Sequence, residues 1–361
     1  MTGIGTAVWA PLVPDAKLRL GLDESTLGLV LLALGGGAIA TMPAAGWLVA
    51  RIGARAVILS LGLAFCLAMP ALAVAPSPSL LVLALGIFGA ALGGTDIAMN
   101  AQAVMVEKAA GRPMMSGFHG AFSLGGLTGA GAMSLLRGAG LSPLVCATLV
   151  AASCFVLLAW QARALLPRGS EDAAGASFAL PHGRLAVIGM LCFVAFLIEG
   201  VVLDWSAVFL RFVRGADAAA AGLGYAAFSL TATVGRLTGD MVVRRLRPLP
   251  VLRWGALFAA GGFAVIAMVP GVYATLLGCA LVGLGAANVV PVLFGAAGRL
   301  PGMAPGLAIS AAATPGYAGL LAGPAIVGLA GEAMGLPLAF LGIGLLTLAV
   351  AAGARLALRT G

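Results

Sequence analysis

Along this chain, twelve apolar runs of about 20 residues alternate with short charged or proline-bearing segments. A hydrocarbon core about 30 Å thick needs about 20 apolar residues of helix per crossing. The pattern therefore predicts twelve membrane-spanning helices, near 1–14, 25–50, 56–75, 80–106, 114–136, 142–163, 185–210, 218–243, 250–269, 271–297, 304–329 and 336–354. Pro76, Pro78, Pro113, Pro143, Pro248, Pro250 and Pro270 fall at or near these ends. That is where a residue with a fixed φ and no N–H starts or breaks a helix.

The first run is short: fourteen helical residues reach only about 21 Å at 1.5 Å per residue. It reads as a first helix truncated at its N-terminus, through a late start codon or trimming of the chain. With no basic residue ahead of the apolar run, it is a poor cleavable signal peptide.

Composition agrees with the pattern. With 61% hydrophobic and 9% charged residues, and a mean hydropathy of +1.12, the chain has too little polar surface to cover a water-soluble globule. Its partner is the lipid bilayer. The net charge of +8 is spread between apolar runs and forms no stripe of the kind that tracks nucleic acid.

Instead, the basic residues orient the array, because cytoplasmic loops carry the excess of lysine and arginine. With both termini cytoplasmic, fourteen lie on that side and five (Lys17, Arg19, Arg137, Arg211 and Arg214) on the other, with Arg236 embedded in a span. The five cysteines all lie in apolar runs, where a thiol acts as a small hydrophobe. Neither a disulfide framework nor a CxxC metal spacing is present, so no metal site or cofactor is expected.

The longest polar stretch, Arg163 to Arg184, divides the spans six and six. The expected organisation is an N-terminal bundle over 1–163, a cytoplasmic linker over 164–184 and a C-terminal bundle over 185–361. The halves look duplicated. Trp9 precedes Gly46-Trp-Leu-Val-Ala-Arg51 much as Trp205 precedes Gly239-Asp-Met-Val-Val-Arg244, and Leu92-Gly-Gly-Thr-Asp96 aligns with Leu284-Gly-Ala-Ala-Asn288. Matched features in matched spans are the mark of parallel repeats in transporters.

Gly46, Leu48, Arg51, Gly53 and Arg55 resemble the signature between the second and third spans of the major facilitator superfamily. Ala50 stands where that family usually has aspartate. In the second half, Gly235-Arg-Leu-Thr-Gly-Asp240 keeps an acid, so the resemblance implies that Asp240 and Arg244 form the cytoplasmic lock. The phrases Asp96-Ile-Ala-Met-Asn-Ala-Gln102, Gly117-Phe-His-Gly120 and Glu199-Gly-Val-Val-Leu-Asp-Trp205 are similar to a bacterial inner-membrane subgroup distantly related to sugar permeases. The resemblance implies an all-α fold of two six-helix bundles that rock about a central site.

Ionisable residues inside spans are costly, and each is a candidate for function. Asp96 and Asn100 share one face of the fourth span, and His119 and Ser123 one face of the fifth. Counted from the cytoplasmic ends, Asn100 and His119 lie about 9 Å deep, and Asp96 and Ser123 about 15 Å. A polar ladder facing the cavity is expected, Asp96 beside Ser123 and Asn100 beside His119; helix-to-helix hydrogen bonding is the plainer reading of the same residues.

Glu199 lies two thirds across the seventh span, with Asp204 nearer its outer end. An unpaired carboxyl in low dielectric favours its neutral form, so Asp96, Glu199 and Asp204 are proton-coupling candidates. For Asp204 the alternative is a solvated helix end. Trp205 and its counterpart Trp9 suit stacking on a solute or anchoring at the membrane interface. Arg236 and Asp240, four apart, can pair along their helix.

Gly319-Leu-Leu-Ala-Gly323-Pro324 resembles a glycine-proline motif of family antiporters, but those carry it in the fifth span. Here that span reads Gly125-Gly-Leu-Thr-Gly129 without the proline, which argues against multidrug antiport and for close helix packing. There is no GxxxxGK[ST] loop, HExxH or GxSxG. The expected function is proton-coupled symport of a small polar organic solute, sugar-like in kind, by a monomer that is not an enzyme. Uniport and proton antiport are the alternatives, with a membrane enzyme or a non-transporting sensor more remote.

Overall fold

The computed structural model describes residues 1–110, 115–166, 183–301, 303 and 305–358. Among these all regular structure is helical. The helices are α1 (Thr2–Leu20), α2 (Glu24–Ile52), α3 (Ala54–Val74), α4 (Pro78–Ala110), α5 (Met115–Gly138), α6 (Pro143–Gln161) and α7 (Arg184–Val208), which runs on into a π-helical turn at Phe209–Val213. They continue with α8 (Ala218–Ala221), α9 (Leu223–Leu246), α10 (Pro248–Met268), α11 (Val272–Ala286), α12 (Val289–Ala297), α13 (Pro305–Met334) and α14 (Leu336–Leu358). The short α8 leads into α9, and α11 and α12 are one span broken at Ala287 and Asn288, so fourteen helices make twelve spans. Ten helical segments among the described residues are long and apolar enough to cross a membrane. Most of the predicted linker, 167–182, lies outside the described residues.

The helix ends are written locally. Asp23 accepts the Thr26 amide at 2.7 Å and Asp217 that of Ala220 at 2.7 Å, each satisfying a free N–H in the first turn. Gly21, at φ 63°, closes α1 in a left-handed conformation that costs glycine nothing.

The largest boundary difference from expectation is at the end of the first span. α1 does not stop at Pro14 but continues to Leu20, a 19-residue helix about 28 Å long. The charged residues beyond Pro14 find partners within the bundle. Asp15 takes Arg137 of α5 at 3.1 Å, and Arg19 donates to the carbonyls of Leu72, Ala73 and Ala75 at the end of α3.

Arg19 also reveals the internal repeat. Its counterpart Arg214, at the end of the seventh span, donates to the carbonyls of Ile266 and Ala267 at the end of α10. In each half, an arginine after the first span caps the C-terminus of the third, where cations offset the helix dipole.

Backbone-to-backbone packing holds each half together. A Cβ on Gly89 of α4 would collide with the Leu34 carbonyl of α2, and one on Gly37 with that of Gly86. Gly129 sits against Ile4 in the same way, and Gly319 against Phe193. Small residues let helices approach closely where lipid removes the hydrophobic drive to associate. The Gly125–Gly129 and Gly319–Gly323 runs are thus packing surfaces.

The two halves meet through α1 on α7, α2 on α13 and α5 on α9. Some of these contacts lie at the end of the molecule that holds the 21–23, 139–142 and 214–217 loops. There the Glu24 amide donates to Glu332 at 3.2 Å, Lys17 lies over the Phe212 ring, and Gly28 packs on Pro324 and Gly328.

Candidate functional site

Halfway along the spans, three helices converge on a single guanidinium. Arg236 of α9 donates through Nη2 to Glu199 Oε1 of α7 at 2.6 Å and through Nη1 to Ser123 Oγ of α5 at 2.8 Å. The side chains of the pair are only 22% and 24% exposed. The bridge therefore joins an ion pair of the second half to a hydroxyl of the first.

Local packing leaves Arg236 free to reach there. Its neighbours Gly235 and Gly239 face the break between α11 and α12, where Asn288 donates to the Gly235 carbonyl at 3.0 Å and fits because Gly239 has no side chain. Thr231 donates to the Ala280 carbonyl at 2.7 Å and fixes the same face. Arg236 then points away from α11, toward α7 and α5.

Two sequence expectations are corrected here. Glu199 is not an unpaired carboxylate, because Arg236 neutralises it. Nor does Arg236 pair with Asp240 along the helix: Asp240 and Arg244 are exposed, and neither has an ion-pair partner among the described residues. A carboxylate one turn away on the exposed face of α9 is outcompeted by one that is largely shielded from solvent, where Coulomb attraction is stronger.

A second polar centre joins α4 to α13. Asp96 accepts from the Tyr317 hydroxyl at 3.4 Å, and the Tyr317 ring lies 5.5 Å from Phe196, which in turn neighbours Phe294. Asn100 turns its amide back to the Asp96 carbonyl at 2.9 Å, within its own helix. The His119 side chain lies outside those described, and with it the expected rung to Asn100. The described partners of Asp96 and Ser123 are Tyr317 and Arg236.

A third group lies toward the 214–217 loop. Asp204 is 6% exposed, and Trp9 and Trp205 are wholly buried. Asp204 Oδ1 and both indole Nε1 atoms lack a hydrogen-bond partner among the described residues. This rules out Asp204 as a solvated helix end, because α7 and its π turn carry the helix nine residues further. It equally rules out the tryptophans as interfacial anchors.

Tyr225, near the start of α9, lies within electrostatic reach of Glu199, Arg236 and Asp204. It connects the third group to the first. Tyr225 and Tyr317 were not singled out from the sequence. One signal was available: the chain has three tyrosines, and two of them lie inside predicted spans at this site.

The signature between α2 and α3 is turn chemistry. Gly53, at φ 87°, makes the turn, with its N–H on the Val49 carbonyl at 2.9 Å. Arg51 lies over the Trp47 ring, 4.3 Å from its centroid, Arg55 opens α3 half-buried, and Gly46 has open space around it.

A model of the Major Facilitator Superfamily matches residues 1–304. Among curated proteins, the MFS-type transporter YPO1221/y2967 of Yersinia pestis is 47% identical over 355 residues, covering 98% of this chain and 92% of that one. Transporter y4wD of Sinorhizobium fredii (strain NBRC 101917 / NGR234) is 33% identical over 358 residues, covering 97% and 94%.

Among solved structures, the nucleoside transporter NupG superposes with a TM-score of 0.76 at 16% identity, covering 100% of this chain and 98% of that one. An inward-facing, occupied bacterial homologue of the lysosomal transporter Spinster gives 0.78 at 16%, covering 100% and 94%. The Escherichia coli fucose:proton symporter FucP (N162A) gives 0.62 at 17%, covering 99% and 96%. With its family signature, its twelve spans and its paired halves all in agreement, the chain belongs to the major facilitator superfamily and has the fold of its transporters.

Proposed function

We propose that this protein is a proton-coupled symporter of a small, polar, uncharged organic solute, sugar-like in its hydroxyl content, which it moves by alternating access. The observation that carries the reading is Asp204, a carboxyl 6% exposed with one oxygen unpartnered, in the same helix as the ion-paired Glu199. A lone charge at that depth is costly, which makes this carboxyl the candidate to take up and release a proton as the halves re-orient. Asp96, on the opposite half, is the second candidate carrier.

The Glu199–Arg236 pair and Ser123 set donors and an acceptor side by side with no net charge. That suits a neutral hydroxyl-bearing solute better than a multiply charged anion. Nucleosides and fucose, named for two of the structural neighbours, fit this description. The bundles 1–163 and 185–361 rock about this centre, joined by 164–184, in a monomer of the bacterial inner membrane. Both termini face the cytoplasm, as the fourteen basic residues at that end favour.

The test is proton flux into proteoliposomes, followed with an internal pH dye while sugars, polyols, nucleosides and amino acids are added outside. Internal acidification evoked by one neutral solute class is the expected result. Solute exchange without proton movement would refute coupling and leave uniport; internal alkalinisation would indicate antiport.

A further inference from the structure

The basic residues at the two ends of the molecule are used differently. At the end of the 21–23 and 214–217 loops, every one is occupied within the protein. Lys17 pairs with Glu24 at 3.2 Å, Arg137 with Asp15 at 3.1 Å, and Arg211 donates to the Ala216 carbonyl at 2.8 Å. Arg19 and Arg214 cap helices, as described above.

At the opposite end, the corner between α9 and α10 shows the reverse. Arg244, Arg245 and Arg247 are exposed, Arg253 is half-buried, and among the described residues none has an ion pair or a side-chain hydrogen bond. Asp240, one turn before Arg244, is the nearest acid in the sequence and is not paired with it. The corner thus concentrates four uncompensated guanidiniums within ten residues.

Two further features bear on what they meet. Leu246, set between two of the arginines, is 53% exposed and Trp254, beside Arg253, is 59% exposed, so apolar surface is interleaved with the charge. Arg247 is also the one described residue other than glycine with positive φ, at φ 69° and ψ 158°. Gly53 makes the same turn at the matching corner of the first half, at φ 87° and ψ 152°, so the conformation belongs to the repeat, and the second half places an arginine where the first has glycine. The Arg247 amide is held by the Val243 carbonyl at 2.9 Å.

We infer that the α9–α10 corner, with Arg244, Arg245, Arg247 and Arg253, is a binding site for the headgroup of an anionic phospholipid. The guanidiniums meet the phosphate with paired N–H donors. Trp254 sits at headgroup level and Leu246 contacts the acyl chain, as residues at this depth do. Clusters of four or more basic residues just outside a span bind acidic lipids in this way. The corner adjoins the end of α9, the helix that carries Arg236, so lipid bound there braces the element on which the central bridge is built.

The test is native mass spectrometry of the purified transporter, with phosphatidylglycerol, phosphatidylcholine or inorganic phosphate added. The expected result is at least fivefold greater retention of phosphatidylglycerol than of phosphatidylcholine. In the R244Q/R245Q/R247Q variant that preference falls at least fivefold, whereas in R244K/R245K/R247K about half or more survives. Equal retention of the two lipids by the unmodified protein, or an unchanged preference in the glutamine variant, overturns the proposal. So does full displacement of the lipid by millimolar phosphate, which would show an anion site without lipid specificity. Should the glutamine variant fail to fold, a salt series on the unmodified protein decides the matter. Retention that falls steeply as salt rises supports the site, and salt-independent retention refutes it.

Discussion

Replacing Glu199 with glutamine keeps the size of the side chain and one acceptor oxygen but removes the charge that Arg236 faces at 2.6 Å. Both partners are less than a quarter exposed, so the interaction is worth more than a surface pair. Charge-assisted hydrogen bonds contribute about 1.5–3 kcal/mol, and breaking a fully buried pair costs about 3–5 kcal/mol. For this partly shielded pair, E199Q is expected to cost about 2 kcal/mol, mostly from stranding the Arg236 charge.

R236Q is expected to cost about 3 kcal/mol, because it also releases Ser123, a bond worth about 1 kcal/mol. The double variant strands no charge, so its cost is about 3 kcal/mol rather than the sum of the two, a coupling of about 2 kcal/mol. Reversible unfolding of the four proteins in mixed micelles measures the cycle. Additive costs, with a coupling below about 0.5 kcal/mol, would refute the claim that this pair holds α7 to α9.

Three further outcomes are expected. Asp204→Asn abolishes concentrative uptake while leaving solute exchange within about twofold; concentrative uptake at the wild-type level in that variant and in Asp96→Asn would remove both carboxyls from the coupling step. Gly89→Ala, whose new methyl meets the Leu34 carbonyl, destabilises the α2–α4 contact by about 1–3 kcal/mol, whereas Gly46→Ala, in open space, changes the melting temperature little or raises it slightly. At the α2 N-terminus, the Thr26 hydroxyl and amide, with the Ser25 hydroxyl, hold the Asp23 carboxyl below its ordinary value near 3.8. The cap therefore contributes fully above that pH and is lost as pH falls below it. A difference in amide protection between wild type and Asp23→Ala should be present at neutral pH and vanish in strong acid; a difference that persists there would contradict this account.

What could be read from the sequence was whatever depends on neighbours along the chain. Span length depends on a run of apolar residues matching the membrane core, so the predicted spans agree with the helices to within a few residues at most ends. The paired positions of Trp9 and Trp205 were legible too, since duplication leaves its marks at fixed spacing. The largest boundary error, at Pro14, came from placing Lys17 and Arg19 in a loop, when carbonyls at the end of α3, more than fifty positions away, hold Arg19, and Arg137 of α5 holds the neighbouring Asp15.

The site followed the same division. Asp96, Ser123, Glu199, Asp204 and Arg236 stand out in the sequence because charge and polarity are scarce in apolar spans, but their partners do not. An i, i+4 rule offered Arg236 the nearby Asp240; the fold gave it Glu199, 37 positions away, and Ser123 on the other half. Tyr225 and Tyr317 matter only because helix packing brings their hydroxyls to charged neighbours. Composition and periodicity alone determined that the chain crosses the membrane twelve times and which polar residues it carries inside. Which of those residues are neutralised, and which carboxyl is left buried without a full set of partners, was decided by tertiary packing, because an ion pair is set by distance through space and by the shielding around it.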